Sequence, residues 1–246
     1  MARQLYHYTS LETLHAIISE IDNSDSHFVY FKLRATNAYY LNDLTEGRLL
    51  LSALKKLGAN EMLLSMLQTT FGYPFIVSFS EHGDDLNMWR CYASEGNGVA
   101  IGLDQTEIES AADYTNNCQF DKCEYVSLEE LIEILKKKNI EELLRMENIM
   151  PLAQLIRNML KYKDKSFVSE AEWRIHDFNI ETNFRVSNNL IIPFREIRVP
   201  VSAIQTIVIG PKCEYDRNSF SIGRFLKSRL PSTQDVQIIK SSVPLI

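Results

Sequence analysis

From residue 127 to about 163 the chain reads as helix, while the segments on either side read as short strands alternating with helices. This interruption constrains the fold more than any other feature. Ser127 and Glu130 stand at capping-box spacing before "LEELIEILKKK", and Pro151 suits a helix start. The helical part therefore reads as an insertion or a small subdomain between two groups of strands. The expected fold is α+β with mixed or antiparallel sheets, a single domain over residues 1–246 carrying a mostly helical insertion at about 127–165.

Ahead of the insertion, residues 4–8 read as a strand feeding a helix over 10–20. Thr9 and Glu12 have the spacing of its capping box, and Leu11, Leu14, Ile17 and Ile18 recur at helical period. Residues 28–34 form a second strand, and Asp43 and Glu46 box a helix that ends at Gly58. Residues 60–70 continue helical, "YPFIVSFS" (73–80) is a buried strand, and 84–93 is a short helix with an acidic N-terminus. A Gly-Asn-Gly turn precedes a strand at 98–103. Beyond the insertion come strands at 172–178, 188–194 and 204–210, a helix near 216–229 and a strand near 235–240.

Composition narrows the function. With 45% hydrophobic and 24% charged residues the chain is globular, and its net charge of −6 argues against nucleic-acid binding by bulk electrostatics. The "KKK" at 136–138 sits among glutamates and reads as a solvated face. No apolar run approaches the roughly 20 residues that span a bilayer. "MARQLYHYTS" lacks the apolar core of a signal peptide. A cytoplasmic protein with no membrane partner is expected. Cys91, Cys118, Cys123 and Cys213 do not complete a zinc set, so reduced thiols and no bound metal are expected.

Four stretches hold the unusual polar residues: "LYHYTS", "YYLNDLTEG", "VSFSEHGDDLNMWRCYA" and "SEAEWRI". Each falls at a strand end or helix start, where side chains and free N–H groups converge on ligands. Glu170 and Glu172 are spaced E-x-E, which on a strand sets both carboxylates on one face. Two carboxylates suit a reaction that passes through a sugar cation; the bland alternative is a solvated edge strand. Ser78 and Ser80 share a strand face, with Phe79 on the other. Trp89 and Tyr92 suit a core-facing pair better than a base-stacking platform. Taken alone, His7 reads as a hydrogen-bonded structural histidine and His15 as a surface residue.

The order L-Y-H-Y-T-S, N-D-x-x-E-G, S-F-S-E-x-x-x-D-x-x-M-W-x-x-Y-A, G-V-A-I-G, E-x-E-W-R, I-V-I-G-P resembles the bacterial family of unknown function DUF2971, over about residues 4–211. "LYHYTSLETLHAII" is in addition similar to the first motif of ADP-ribosyltransferases, a superfamily that includes the poly(ADP-ribose) polymerases and DNA-modifying toxins. That resemblance implies an ADP-ribosyltransferase-like core with NAD as substrate. His7, Tyr8 and Thr9 would then hold the adenosine end of NAD, with Ser78, Ser80 and Trp89 as further cofactor-binding residues. Glu172, with Glu170 beside it, would promote cleavage of the nicotinamide bond. Tyr8 stands where the superfamily usually has glycine. The implied partners are NAD, a macromolecular acceptor (protein or nucleic acid) and an antitoxin or regulator, as in a toxin or phage-defence effector. Two other readings stay open: a non-catalytic sensing module on the same fold, and a metal-dependent nuclease using Asp43, Glu46, Asp85, Glu170 and Glu172.

Overall fold

The computed structural model describes residues 3–21, 29–41, 48–70, 74–115, 117–144, 150–179, 182–187, 189–231 and 234–244. The elements run β1 (Gln4–Thr9), α1 (Leu11–Ser19), β2 (Tyr30–Asn37), α2 (Arg48–Lys56), α3 (Glu61–Thr70), β3 (Phe75–Ser80), α4 (Leu86–Tyr92), β4 (Val99–Asp104) and α5 (Gln105–Tyr114). There follow β5 (Cys118–Lys122), β6 (Glu124–Val126), α6 (Leu128–Lys137), α7 (Ile140–Leu143), α8 (Met150–Met159), β7 (Tyr162–Asp164) and β8 (Glu172–Asp177). The chain closes with β9 (Asn183–Ser187), β10 (Leu190–Pro200), β11 (Ile204–Ile209), α9 (Tyr215–Arg229) and β12 (Gln237–Lys240).

The result is a mixed α/β fold built on a mostly antiparallel sheet. Its main path orders the strands β12-β11-β4-β1-β3-β2-β10-β9, and β8 and then β5 branch from β3. Among the described residues, only β11 and β12 pair in parallel within it.

The branch at β3 is the feature that matters for function. On one edge β3 pairs with β8 from Phe75↔Asp177 to Ser80↔Glu172. On the other edge two strands compete. Tyr6 of β1 meets Ser80 at one end, and Thr36 and Asn37 of β2 meet Ile76 and Phe75 at the other. β1 is committed along its length to β4, and β2 to β10. Val77, Ser78 and Phe79 therefore face a gap in the ladder. The sheet forks there.

One face of the sheet carries the main core. Leu5, Phe31, Leu33, Val77, Phe79 and Ile101 pack with Leu14, Ile17 and Ile18 of α1, Ile108 and Ala112 of α5, and Ile222 and Leu226 of α9. Each buried Leu, Ile, Val or Phe among them contributes about 1.5–3 kcal/mol. On the opposite face Met88 and Trp89 of α4 pack on Tyr8, Ala100 and Val208, and the remaining helices form a cluster of their own. Leu50 and Leu54 of α2 and Leu64 of α3 share that cluster's core with Leu131, Leu135 and Leu152 of α6 and α8. The helical insertion thus shares its core with α2 and α3, which precede it in the chain. It also contains a strand, β7, which pairs in parallel with β6.

Several local expectations hold. Ser127 and Glu130 form the capping box of α6. Gly58, at φ 95°, follows α2 in the left-handed region. Asp85 caps α4 by accepting from the N–H groups of Asn87 and Met88. All four cysteines are free thiols, Lys136, Lys137 and Lys138 are exposed, and so is His15. Others need correction. Thr9 does not cap α1: it is the last residue of β1 and buried, and Ser10 Oγ accepts from Thr13 N instead. The second strand spans Tyr30–Asn37 rather than 28–34, and β10 runs on to Pro200. The expected box of Asp43 and Glu46, with Asn42, lies outside the described residues. Among the described residues no helix is long and apolar enough to cross a membrane.

Candidate functional site

A cleft of about 240 Å³ opens at the fork, lined along its floor by Ile76 to Ser80. β1 contributes Tyr6, His7 and Tyr8, and β2 contributes Arg34 and Thr36. Met88 and Tyr92 come from α4, Lys163 from β7, and Glu170 and Glu172 from the approach to β8.

His7 fills the gap. Strand alternation puts it on the core side with Leu5, and its ring lies 6.0 Å from that of Phe79. Its Nδ1 lies 3.0 Å from the carbonyl oxygen of Ser78, so Nδ1–H donates and Nε2 is left as an acceptor. The side chain supplies the donor that a neighbouring strand would have given. Burial lowers its pKa, although the Ser78 bond opposes this, so the ring is neutral at pH 7.

Tyr8 donates from its hydroxyl to His82 O at 2.8 Å, accepts from Asp85 N at 3.2 Å, and sets its ring edge-on to Trp89. It ties β1 to the 81–85 loop. Gly83 lets that loop pass: a Cβ there would stand 2.5 Å from the Tyr6 ring. Thr9 and Trp89 are buried and do not line the cleft. Trp89 Nε1 donates to Asp84 Oδ1, and Asp84 in turn holds Ser241 and Ser242 near the end of the chain.

The carboxylates form the polar end. Glu170 is not on a strand, contrary to the E-x-E expectation. It ends a 3-10 turn (Lys165–Glu170), and Ala171 at φ 43° and ψ 52° turns the chain before Glu172 opens β8. The two side chains meet through Lys163, whose Nζ donates to Glu170 Oε2 at 2.6 Å and to Glu172 Oε2 at 2.8 Å. Arg174 grips Glu172 with both Nε and Nη2 at 2.8 Å, and Tyr92 donates to Glu170 Oε1 at 2.7 Å. Ser80 is fully buried and donates to the Glu170 carbonyl at 2.7 Å while accepting from His82 N. Burial alone would raise the Glu172 pKa, but Arg174 and Lys163 hold it down at about 2. Burial first, and then Glu170, raise that of Tyr92.

A carboxylate offers about four acceptor positions. Among the described residues, donors fill three on Glu172 and two on Glu170. Both carboxylates are held in place by these donors, and each keeps an acceptor position that no described residue fills.

Residues 88–175 match the model of a family described as a protein of unknown function (DUF2971). Neither a curated protein nor a solved structure matches the chain. The matched segment contains Tyr92, Lys163, Glu170, Glu172 and Arg174 of the charged network. His7, Ser78 and Ser80 lie outside it.

Sequence reasoning did not find Lys163, Tyr92 or the arginines of the cleft as site residues. Arg174 was within reach, since an i+2 spacing from Glu172 on a strand sets both on one face. Lys163 was hidden at the end of a stretch read as helix. Among the described residues no group of three His, Cys, Asp or Glu side chains is arranged to hold a metal ion.

Proposed function

We propose that the cleft binds NAD and cleaves its nicotinamide–ribose bond, passing ADP-ribose to a macromolecular acceptor or to water. One observation carries this reading. The fork gathers His7, Ser78, Ser80, Glu170 and Glu172 around one cleft, although they come from segments far apart in the sequence.

In the proposed reaction the C1′–N bond breaks and nicotinamide leaves with the electron pair. The positive charge then rests on the ribose. Glu172 accepts a hydrogen bond from a ribose hydroxyl through its remaining acceptor position, and its ionised carboxylate faces the developing cation. Glu170 has two acceptor positions left and receives the proton of the incoming hydroxyl. Lys163 and Arg174 keep both carboxylates in place before substrate arrives. At about 240 Å³ the cleft is smaller than a whole dinucleotide requires, so the adenosine end of NAD lies outside it.

A second reading, a ligand sensor without chemistry, is favoured by one specific fact: both carboxylates are already ion-paired, Glu170 to Lys163 and Glu172 to Lys163 and Arg174. Mass spectrometry separates the two. Cleavage predicts free nicotinamide and an ADP-ribosyl mass on co-purified material after incubation with NAD. A sensor predicts NAD recovered intact.

A further inference from the structure

At the end of the cleft away from the glutamates, two guanidinium groups share one support. Arg34 and Thr36 lie on the same face of β2. Arg185 reaches the cleft from β9, and its Nη2 donates to Thr36 Oγ1 at 3.0 Å. Both guanidinium carbons lie over the ring of Phe194, at 5.3 Å for Arg34 and 5.9 Å for Arg185. Arg34 has a partner, Glu20, at 3.0 Å, and that pair is solvent-accessible. Arg185 has no carboxylate partner among the described residues, and its buried Nε has no hydrogen-bond partner there.

This is a costly arrangement. A half-buried cation is held beside a like charge with a donor unused. Burial, and then Arg34, lower the pKa of Arg185, yet a guanidinium stays charged at any physiological pH. Stacking on one aromatic ring fixes both forks in advance, so an arriving anion pays little for their ordering.

We infer that Arg185 and Arg34 form an anion subsite of the cleft that takes a diphosphate. Two guanidinium forks match a ligand with two adjacent charged groups better than they match a single carboxylate. Along β3, Ile76, beside Thr36, and Ser80, beside Glu172, are separated by about 14 Å at strand rise. A diphosphate held here leaves its attached ribose pointing toward Glu170 and Glu172. The inference rests on the cleft being a ligand site, as proposed above, but not on turnover.

The test is calorimetric titration of the full chain with inorganic pyrophosphate, ADP and adenosine. Pyrophosphate and ADP should bind, and adenosine should bind far more weakly. Arg185→Met should weaken pyrophosphate and ADP by about tenfold or more, the worth of one charge-assisted hydrogen bond. Arg34→Met should do the same. Arg217→Met, an exposed change on α9, should leave binding as in the parent. Arg185 sits on a strand whose Phe184 and Val186 are exposed, so its replacement should leave the fold intact; a thermal melt of each variant checks this. Pyrophosphate binding unchanged in both arginine variants, or adenosine binding as tight as ADP, overturns the subsite. Diphosphate binding lost in the variants while NAD stays intact in the parent keeps the subsite and removes the cleavage reading. NAD cleavage with an unchanged KM in Arg185→Met does the reverse.

Discussion

Replacing Glu172 by Gln should destabilise the fold before it reports on chemistry. The carboxylate is buried, and it faces Arg174 and Lys163, which are buried too. Its pKa in the folded chain is about 2, against an ordinary 4.5. A shift of that size corresponds to about 3 kcal/mol of stabilisation of the ionised form. Breaking a buried ion pair by removing one partner costs a similar 3–5 kcal/mol or so, because the other charge is left uncompensated. In a chain of this length each kcal/mol moves Tm by about 2–4 °C, so Glu172→Gln should melt about 10 °C below the parent. Differential scanning calorimetry at pH 7 measures this. Adding Arg174→Met should recover part of the loss, since the stranded cation goes with it. A Glu172→Gln variant melting within 2 °C or so of the parent would refute the reasoning: the network would then be a solvated ion cluster.

Ser80→Ala removes a hydroxyl that serves Glu170 O and His82 N at once, and should cost about 2 kcal/mol by urea denaturation; an unchanged urea midpoint counts against that role. Acid should weaken the fold in two steps. Burial, and then Arg174, pull the His176 pKa down to about 3, whereas the unfolded chain takes that proton near 6.5. Its contribution is therefore complete above about pH 6.5 and is lost as pH falls toward 3, and Glu172 adds a second loss between about 4.5 and 2. His176→Leu should flatten the decline between pH 6.5 and 5, and the same slope in both proteins would contradict this.

Much of the fold was legible because periodicity and caps are local. Ser127 and Glu130 announced α6, and the apolar run before Ser80 announced β3. α5 was missed although Asp104 and Glu107 have capping spacing, and Asp104 does cap that helix. β5 was missed because "CQFDK" alternates weakly and gains its place only by pairing with β8. Thr9 misled because Ser10, one residue on, offers the same chemistry. The candidate site was legible by residue type and not by geometry. Nothing in "LYHYTS" says that β1 and β2 share an edge of β3, and only that sharing puts His7 opposite the Ser78 carbonyl. The link between the glutamates depends on Lys163 and on a left-handed Ala171, neither of which carries a sequence signal.

The central claim, that the carboxylates of this cleft act on NAD, is tested most directly by following nicotinamide release from NAD. Parent and Glu170→Gln should be compared by chromatography, because this change keeps an acceptor for the Tyr92 hydroxyl and leaves the Glu172–Arg174 pair intact. The parent should release nicotinamide steadily, and Glu170→Gln, which can no longer receive the proton of the incoming hydroxyl, should lose about a hundredfold or more, the worth of one positioned general base, with both proteins folded. No release by the parent at saturating NAD, or equal release by both, would contradict it.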